Sequence, residues 1–146
     1  MSHNHIESLP ENIGDLNKLK KLGLKYNQLK TMPVSMANLT KLEEFNIEGN
    51  NVLELDEKIL KSCVELQIVV ISRNRFSALP NMESLSKLIR IDGSHNEIIM
   101  IPSDSFKQPK LIWVSLKGNK IGSLPEDIKN WNSIKELDLS SNSIGK

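Results

Sequence analysis

Asparagine recurs along this chain at Asn4, Asn27, Asn50, Asn74, Asn96, Asn119 and Asn142, at intervals of 23, 23, 24, 22, 23 and 23 residues. A unit of that length is too small to enclose a core of its own. A chain made of such units has to stack them and bury apolar surface between neighbours. Apolar residues keep fixed offsets from each asparagine, in the order L-x-x-L-x-L-x-x-N-x-L. The first copy is Leu19, Leu22, Leu24, Asn27, Leu29; the second is Leu42, Phe45, Ile47, Asn50, Val52. The third is Leu66, Val69, Ile71, Asn74, Phe76, and the fourth Leu88, Ile91, Gly93, Asn96, Ile98. The fifth is Leu111, Val114, Leu116, Asn119, Ile121, and the sixth Ile134, Leu137, Leu139, Asn142, Ile144.

Each position has a physical reading. The two middle apolar residues are two apart, so they leave a short strand on the same side while the residues between them face solvent. Strands from successive copies stack at roughly 4.8 Å into a parallel sheet. The asparagine falls where the chain turns inward. Its amide has both donor and acceptor, so a column of asparagines can satisfy the backbone groups that the turns strand. This pattern is the leucine-rich repeat. The expected fold is an α/β leucine-rich repeat solenoid: a curved right-handed coil of about six 23-residue repeats, with the parallel sheet on the concave face and an irregular or short-helical convex side. Residues 1–146 are read as a single domain, with a partial repeat over 1–18, five full repeats over 19–133 and a partial repeat over 134–146. A chain that opens and closes within a repeat is expected to be a fragment or short member of longer arrays, and its bare ends are expected to associate.

The return half of each copy has its own signature. Leu9-Pro10, Met32-Pro33, Leu79-Pro80, Ile101-Pro102 and Leu124-Pro125 recur after their asparagines, and proline there prevents a second strand. Ile13 and Leu16, Met36 and Leu39, Ile59 and Cys63, and Ile128 and Trp131 then pack beneath the sheet. Cys63 and Trp131 share a column with Leu16, Leu39 and Leu85, which marks both as core residues. The second copy departs, with Leu55-Asp56 in place of the proline and one extra residue. The fourth carries Gly93 where a leucine is expected; Met100 or Phe106 would fill the space, or the strand would be loose there.

Nineteen basic and 18 acidic side chains leave a net charge of +1. That balance gives no reason to expect nucleic acid as partner. No apolar run reaches the roughly 20 residues that would insert across a bilayer. One cysteine, Cys63, allows no internal disulfide, and no secretory leader is recognised, so a cytoplasmic location is expected. The glycosylation triplet Asn38-Leu39-Thr40 points the other way. No phosphate-binding glycine loop, nucleophile elbow or zinc spacing is present, and His3 and His5 alone make no metal site. Neither enzyme activity, nor a cofactor, nor a metal is expected.

Stacked strands turn their exposed positions into one surface, roughly 24 Å along the stack. The third position of each copy gives Lys21, Glu44, Ile68, Arg90, Trp113 and Glu136, and the fifth gives Gly23, Asn46, Val70, Asp92, Ser115 and Asp138. The seventh and eighth add Lys25 with Tyr26, Glu48, Arg73, His95 and Lys117. Charge is zoned along this surface, with a basic first copy and an acidic second. Tryptophan, arginine and aliphatic residues bordered by charge have the composition of a protein-binding hot spot. Trp113, Ile68, Val70, Arg73, Arg90, His95, Tyr26 and Lys25 are therefore the expected contacts, with Trp113 foremost. The asparagines from Asn27 to Asn142 are structural.

The full motif ending in leucine-proline, as in Leu111 to Pro125, resembles the intracellular Ras-group leucine-rich repeat proteins. Leu22–Pro33, Leu42–Val52, His95–Phe106 and Leu116–Trp131 resemble consecutive repeats of the Shoc (Sur) family of Ras-pathway scaffolds. That resemblance covers nearly the whole chain. It implies a non-catalytic scaffold that gathers a small GTPase of Ras type and a phosphatase catalytic subunit on its concave face. The family's disordered N-terminal arm, with its phosphatase-docking motif, and most of its repeats have no counterpart here. Two alternatives remain open. One is a recognition module of a larger phosphatase, kinase or ubiquitin ligase, and the other is an extracellular or pathogen-recognition repeat protein.

Overall fold

A computed structural model describes residues 4–145; Met1 to His3 and Lys146 lie outside them, so the reading of His3 is not addressed. Six three-residue strands form a single parallel sheet in sequence order: β1 (Lys21–Gly23), β2 (Glu44–Asn46), β3 (Ile68–Val70), β4 (Arg90–Asp92), β5 (Trp113–Ser115) and β6 (Glu136–Asp138). The register joins equivalent repeat positions throughout. Lys21, Glu44, Ile68, Arg90, Trp113 and Glu136 form one row, and Leu22, Phe45, Val69, Ile91, Val114 and Leu137 the next. Strands of three residues are sufficient because each is one side of a coil, and for β2 to β5 pairing on both edges supplies what length cannot.

The inward rows make the core. Leu22, Leu24, Val114 and Leu116 are buried, together with Ile47, Ile71, Leu29, Val52, Phe76, Ile98 and Ile121. Burial weakens toward the ends of the stack, and Ile128, expected beneath the sheet, is 37% exposed. Leu16 is 51% exposed and Leu137 40%, whereas their equivalents in interior coils are buried. The missing cover is a neighbouring coil.

Each asparagine divides its bonds between the coil before it and its own. Asn74 Oδ1 accepts from the Val52 N–H at 3.0 Å, and its Nδ2 donates to the carbonyls of Ile47 (2.8 Å), Ile71 (3.2 Å) and Ser72 (3.1 Å). Asn50 and Asn96 repeat this set, serving Leu29 and Phe76. Asn119 and Asn142 continue it onto Ile98 and Ile121. Asn27 Oδ1 likewise accepts from the Ile6 N–H at 3.2 Å. His5 joins the same first coil, with its Nδ1 3.0 Å from Gln28 Nε2.

The return half takes three forms. Pro10, Pro33 and Pro125, held near φ −70° with extended ψ, each deliver the chain into a 3-10 turn: Glu11–Asp15, Val34–Asn38 and Glu126–Asn130. The 24-residue copy instead forms one α-helical turn, α1 (Glu57–Ser62), capped by Asp56 Oδ1 accepting from the Lys58 N–H at 2.9 Å. Its closing bond spans four residues, Cys63 N–H to Ile59 O, where the equivalent Leu39 N–H reaches back three to Met36 O. The extra residue is consumed by that wider turn. The next two copies carry only turns.

Two core positions differ from expectation. At Gly93 the space is taken by Leu116, Leu79 and Ile98, whose methyls lie 3.0, 3.7 and 3.8 Å from where a Cβ would stand. Met100 is exposed, and Phe106 packs edge-to-face on Trp131 with ring centres 5.0 Å apart. Gln108 fills the column of Leu39 and Cys63. It is buried, and its Nε2 donates to the Met82 carbonyl at 2.9 Å, just as Cys63 Sγ points at the Met36 carbonyl at 3.6 Å.

Asn74→Ala strands one donor and three acceptors shared between two coils, a loss of about 1–3 kcal/mol. Urea denaturation followed by circular dichroism should show that drop, and an unchanged midpoint would contradict the ladder.

Candidate functional site

The outward rows of the sheet form the face on which the expected contacts lie. Among the described residues, no helix or turn packs over it. Its first two coils are neutralised against one another. Lys21 Nζ lies 2.6 Å from Glu44 Oε1, Lys20 Nζ 2.8 Å from Glu43 Oε1, and Lys25 Nζ 3.5 Å from Glu48 Oε2. The basic and acidic zones are thus each other's partners, in exposed pairs worth little to stability. Glu48 gathers more than Lys25. The Tyr26 hydroxyl donates to its Oε1 at 2.8 Å, and Arg73 Nε lies 3.8 Å away. That bond to Glu48, with burial second, raises the Tyr26 phenol above its ordinary pKa.

Farther along, Trp113 and Arg90 form a unit. They are register partners on β5 and β4, and the Arg90 guanidinium carbon sits 4.0 Å from the Trp113 ring centre. Arg90 Nη2 also approaches Asp92 Oδ2 at 3.7 Å. A guanidinium stacked on an indole is attracted by the ring quadrupole. One ring face is therefore occupied, while the side chain remains half-buried on β5, next to the edge strand. Ile68, on the far side of Arg90 in the same row, is also half-buried. Val70 is only 7% exposed, which removes it from the contact surface. It belongs to the floor of the sheet, as does Ser115 in the same row.

Tyr26, Arg73 and His95 share a property that spacing alone did not reveal. Together with Gly49, Gly118 and Ser141 they occupy the position before each ladder asparagine, and all six have φ between 52° and 70°. Left-handed backbone costs a side chain and is free to glycine. The two glycines have a further role. A Cβ on Gly49 would meet the Tyr26 ring, and one on Gly118 would lie 2.7 Å from His95 Nδ1. Each ring lies against the glycine of the following coil. Glu48 is the residue of this cluster that sequence reasoning left out of the site; the alternation of aromatic residue and glycine at Tyr26/Gly49 and His95/Gly118 was the available signal.

Among the described residues no three histidine, cysteine, aspartate or glutamate side chains converge as metal ligands. No helix there is long and apolar enough to cross a membrane. The thiol of Cys63 is buried under the sheet, and burial pushes it up to about 11 from an ordinary 9.0. A cleft of about 250 Å³ opens on the return side between the third and fourth copies, over Met82, Phe106 and Gln108, well away from the sheet face.

With this geometry in view, known proteins offer a comparison. A family model described as leucine rich repeat matches residues 1–52. Leucine-rich repeat-containing G-protein coupled receptor 5 of Rattus norvegicus is 33% identical over 66% of this chain and 11% of its own length. Leucine-rich repeat serine/threonine-protein kinase 1 of Mus musculus is 29% identical over the whole chain and 9% of its own length. The chain therefore spans about a tenth of these relatives. In structure, a chain of the Drosophila Toll–Spatzle complex superposes with a TM-score of 0.89 at 26% identity, over 97% of this chain and 21% of that one.

Two outcomes test the site's construction. Gly118→Ala adds strained backbone and a collision with His95, and should cost about 1–3 kcal/mol. Adding His95→Ala should recover part of that loss in a double-mutant cycle, and strict additivity would remove the ring-on-glycine contact. The raised thiol means the folded chain keeps a proton that the unfolded chain loses above 9.0. Stability should be complete below that pH and fall as pH climbs toward 11, less steeply in Cys63→Val. Urea midpoints across that range measure it. The six-stranded parallel register, the asparagine ladder and the matched repeats together make this chain a leucine-rich repeat solenoid.

Proposed function

We propose that this chain is a non-catalytic scaffold that binds another protein on the outer face of its sheet, around Trp113 and Arg90. Leucine-rich repeat domains are in general protein-interaction folds. The observation that carries the reading is the uncovered row Ile68, Arg90, Trp113, with its guanidinium already stacked on the indole at 4.0 Å. A stacked pair is pre-positioned, so little side-chain entropy remains to be lost on binding. Tyr26, Lys25, Arg73 and His95 form the polar border of the contact, and Glu48 holds three of them in place. The similarity to a chain of the Toll–Spatzle complex supports a protein partner as the class.

The finer reading is intracellular signalling of Ras type, with a small GTPase or a phosphatase catalytic subunit as partner and a cytoplasmic location. Its support is the resemblance of the repeats to Ras-group proteins and the single cysteine, Cys63. A second reading, a recognition module within a larger kinase, has support from the mouse kinase, which matches the whole chain over 9% of its own length.

Calorimetric titration of the chain with a GTP-loaded Ras-type GTPase, and separately with a type-one phosphatase catalytic subunit, tests the finer reading. Binding of either is expected, and Trp113→Ala should weaken it by about 2 kcal/mol, roughly thirtyfold, with an unchanged melting temperature. Failure of both proteins to bind would sink the Ras-type reading. Binding indifferent to Trp113→Ala would remove the site.

A further inference from the structure

On the return side of the stack, the third copy is a residue short. Leu79 and Leu85 are six apart, where Met32 and Leu39, Ile101 and Gln108, and Leu124 and Trp131 are seven apart. Both the third copy and the fourth pass this side in turns without a helix. Between them opens the cleft of about 250 Å³. That is just below the usual size of a small-molecule pocket, so it admits a compact group. Leu79, Met82 and Phe106 give it an apolar lining. Phe106 holds φ at 62°. A bulky side chain rarely adopts that left-handed backbone, and such strain collects at binding sites.

Three acceptor groups around this cleft lack a donor. Gln108 is only 5% exposed, and its Nε2 is held by the Met82 carbonyl at 2.9 Å. Its Oε1 is buried and accepts from no donor, the Trp131 indole N–H one coil later included. A buried acceptor left unmatched is costly, and a native fold seldom keeps one without a use. Glu83 and Asp104 are exposed at the mouth, and among the described residues neither forms an ion pair. Lys107 borders the adjoining recess together with both carboxylates, yet lies beyond ion-pair reach of either. We propose that the cleft binds a guanidinium carried on a short alkyl stem. The stem rests on Leu79, Met82 and Phe106, and the head lies among Glu83, Asp104 and Gln108 Oε1. An alkylguanidinium offers five N–H donors and no acceptor, which suits a site furnished with acceptors. It is also more weakly hydrated than an ammonium, so it enters an apolar-walled cleft at lower cost. A free alkylguanidine and an arginine side chain of another protein present this same head. The cleft lies well away from the Arg90–Trp113 stack, so the inference stands apart from the partner of the sheet face.

Titration of the chain with n-butylguanidinium, followed by nitrogen–proton correlation spectra, tests it. Saturable shifts are expected at the backbone amides of Met82, Ser105 and Gln108. n-Butylurea has the same shape without the charge, and should bind roughly tenfold more weakly. Glu83→Gln with Asp104→Asn should also weaken butylguanidinium binding roughly tenfold, with an unchanged circular dichroism spectrum. Gln108→Met should weaken it as well, and Trp113→Ala should leave it as it is. N-acetyl-arginine N-methylamide separates the two sources of the head. Tighter binding than butylguanidinium assigns the cleft to an arginine of another protein, weaker binding assigns it to a free compound, and either upholds the site. The absence of any saturable shift would overturn the proposal. So would equal binding of the urea, or an affinity indifferent to the Glu83 and Asp104 changes. Shifts centred on Trp113 and abolished by Trp113→Ala would overturn it too, because the cation would then sit on the indole of the sheet face.

Discussion

The backbone of one coil cannot satisfy its own polar groups, and the carboxamide of the next coil's asparagine does it instead. Asn74 shows the arrangement: one acceptor and one nitrogen reach four backbone groups in two coils. Because two of the four bonds cross a coil boundary while the other two fix the amide in its own turn, position is transmitted from coil to coil. The consequence is the strict row-to-row register of six three-residue strands, none of which has enough pairing to persist alone. Apolar burial supplies the driving force and the ladder supplies the alignment. Insertions are absorbed on the far side, as the α-helical turn at Glu57–Ser62 shows, so the sheet keeps its register past a 24-residue copy.

Alignment also determines the chemistry of the exposed face. Charges that would be scattered in a loop are brought opposite one another, and the first two coils neutralise themselves through Lys21–Glu44 and Lys25–Glu48. What is left to distinguish the face is the Arg90–Trp113 stack with Ile68 beside it. The left-handed position before each asparagine adds a second ordered column, in which Tyr26 and His95 lie over Gly49 and Gly118. These residues hold unfavourable backbone because the ladder and the sheet fix the chain on both sides of them.

The departures from expectation share a cause, which is that a column tells where a side chain starts and not what surrounds it. Val70 has the outward register of an exposed residue but is covered in place. Gln108 is polar in a column of apolar residues, and the Met82 carbonyl of the preceding coil makes its burial tolerable. Gly93 leaves a gap that is closed by Leu116 and Leu79 from the two adjoining coils and by Ile98 of its own, rather than by the larger Met100 or Phe106. Each of these depends on atoms contributed across coils.

Periodicity by itself determined the solenoid, the parallel sheet, the row assignments and the structural role of the asparagines. It could do so because the apolar offsets and the amide recur with so little variation that only one stacking buries the first and satisfies the second. The tertiary structure alone decided which outward residues are accessible, that the charged zones cancel, that Arg90 rests on Trp113, and that rings need glycine beneath them. Those are distances between side chains of neighbouring coils, and they depend on rotamers and mutual cover, which a linear spacing does not encode.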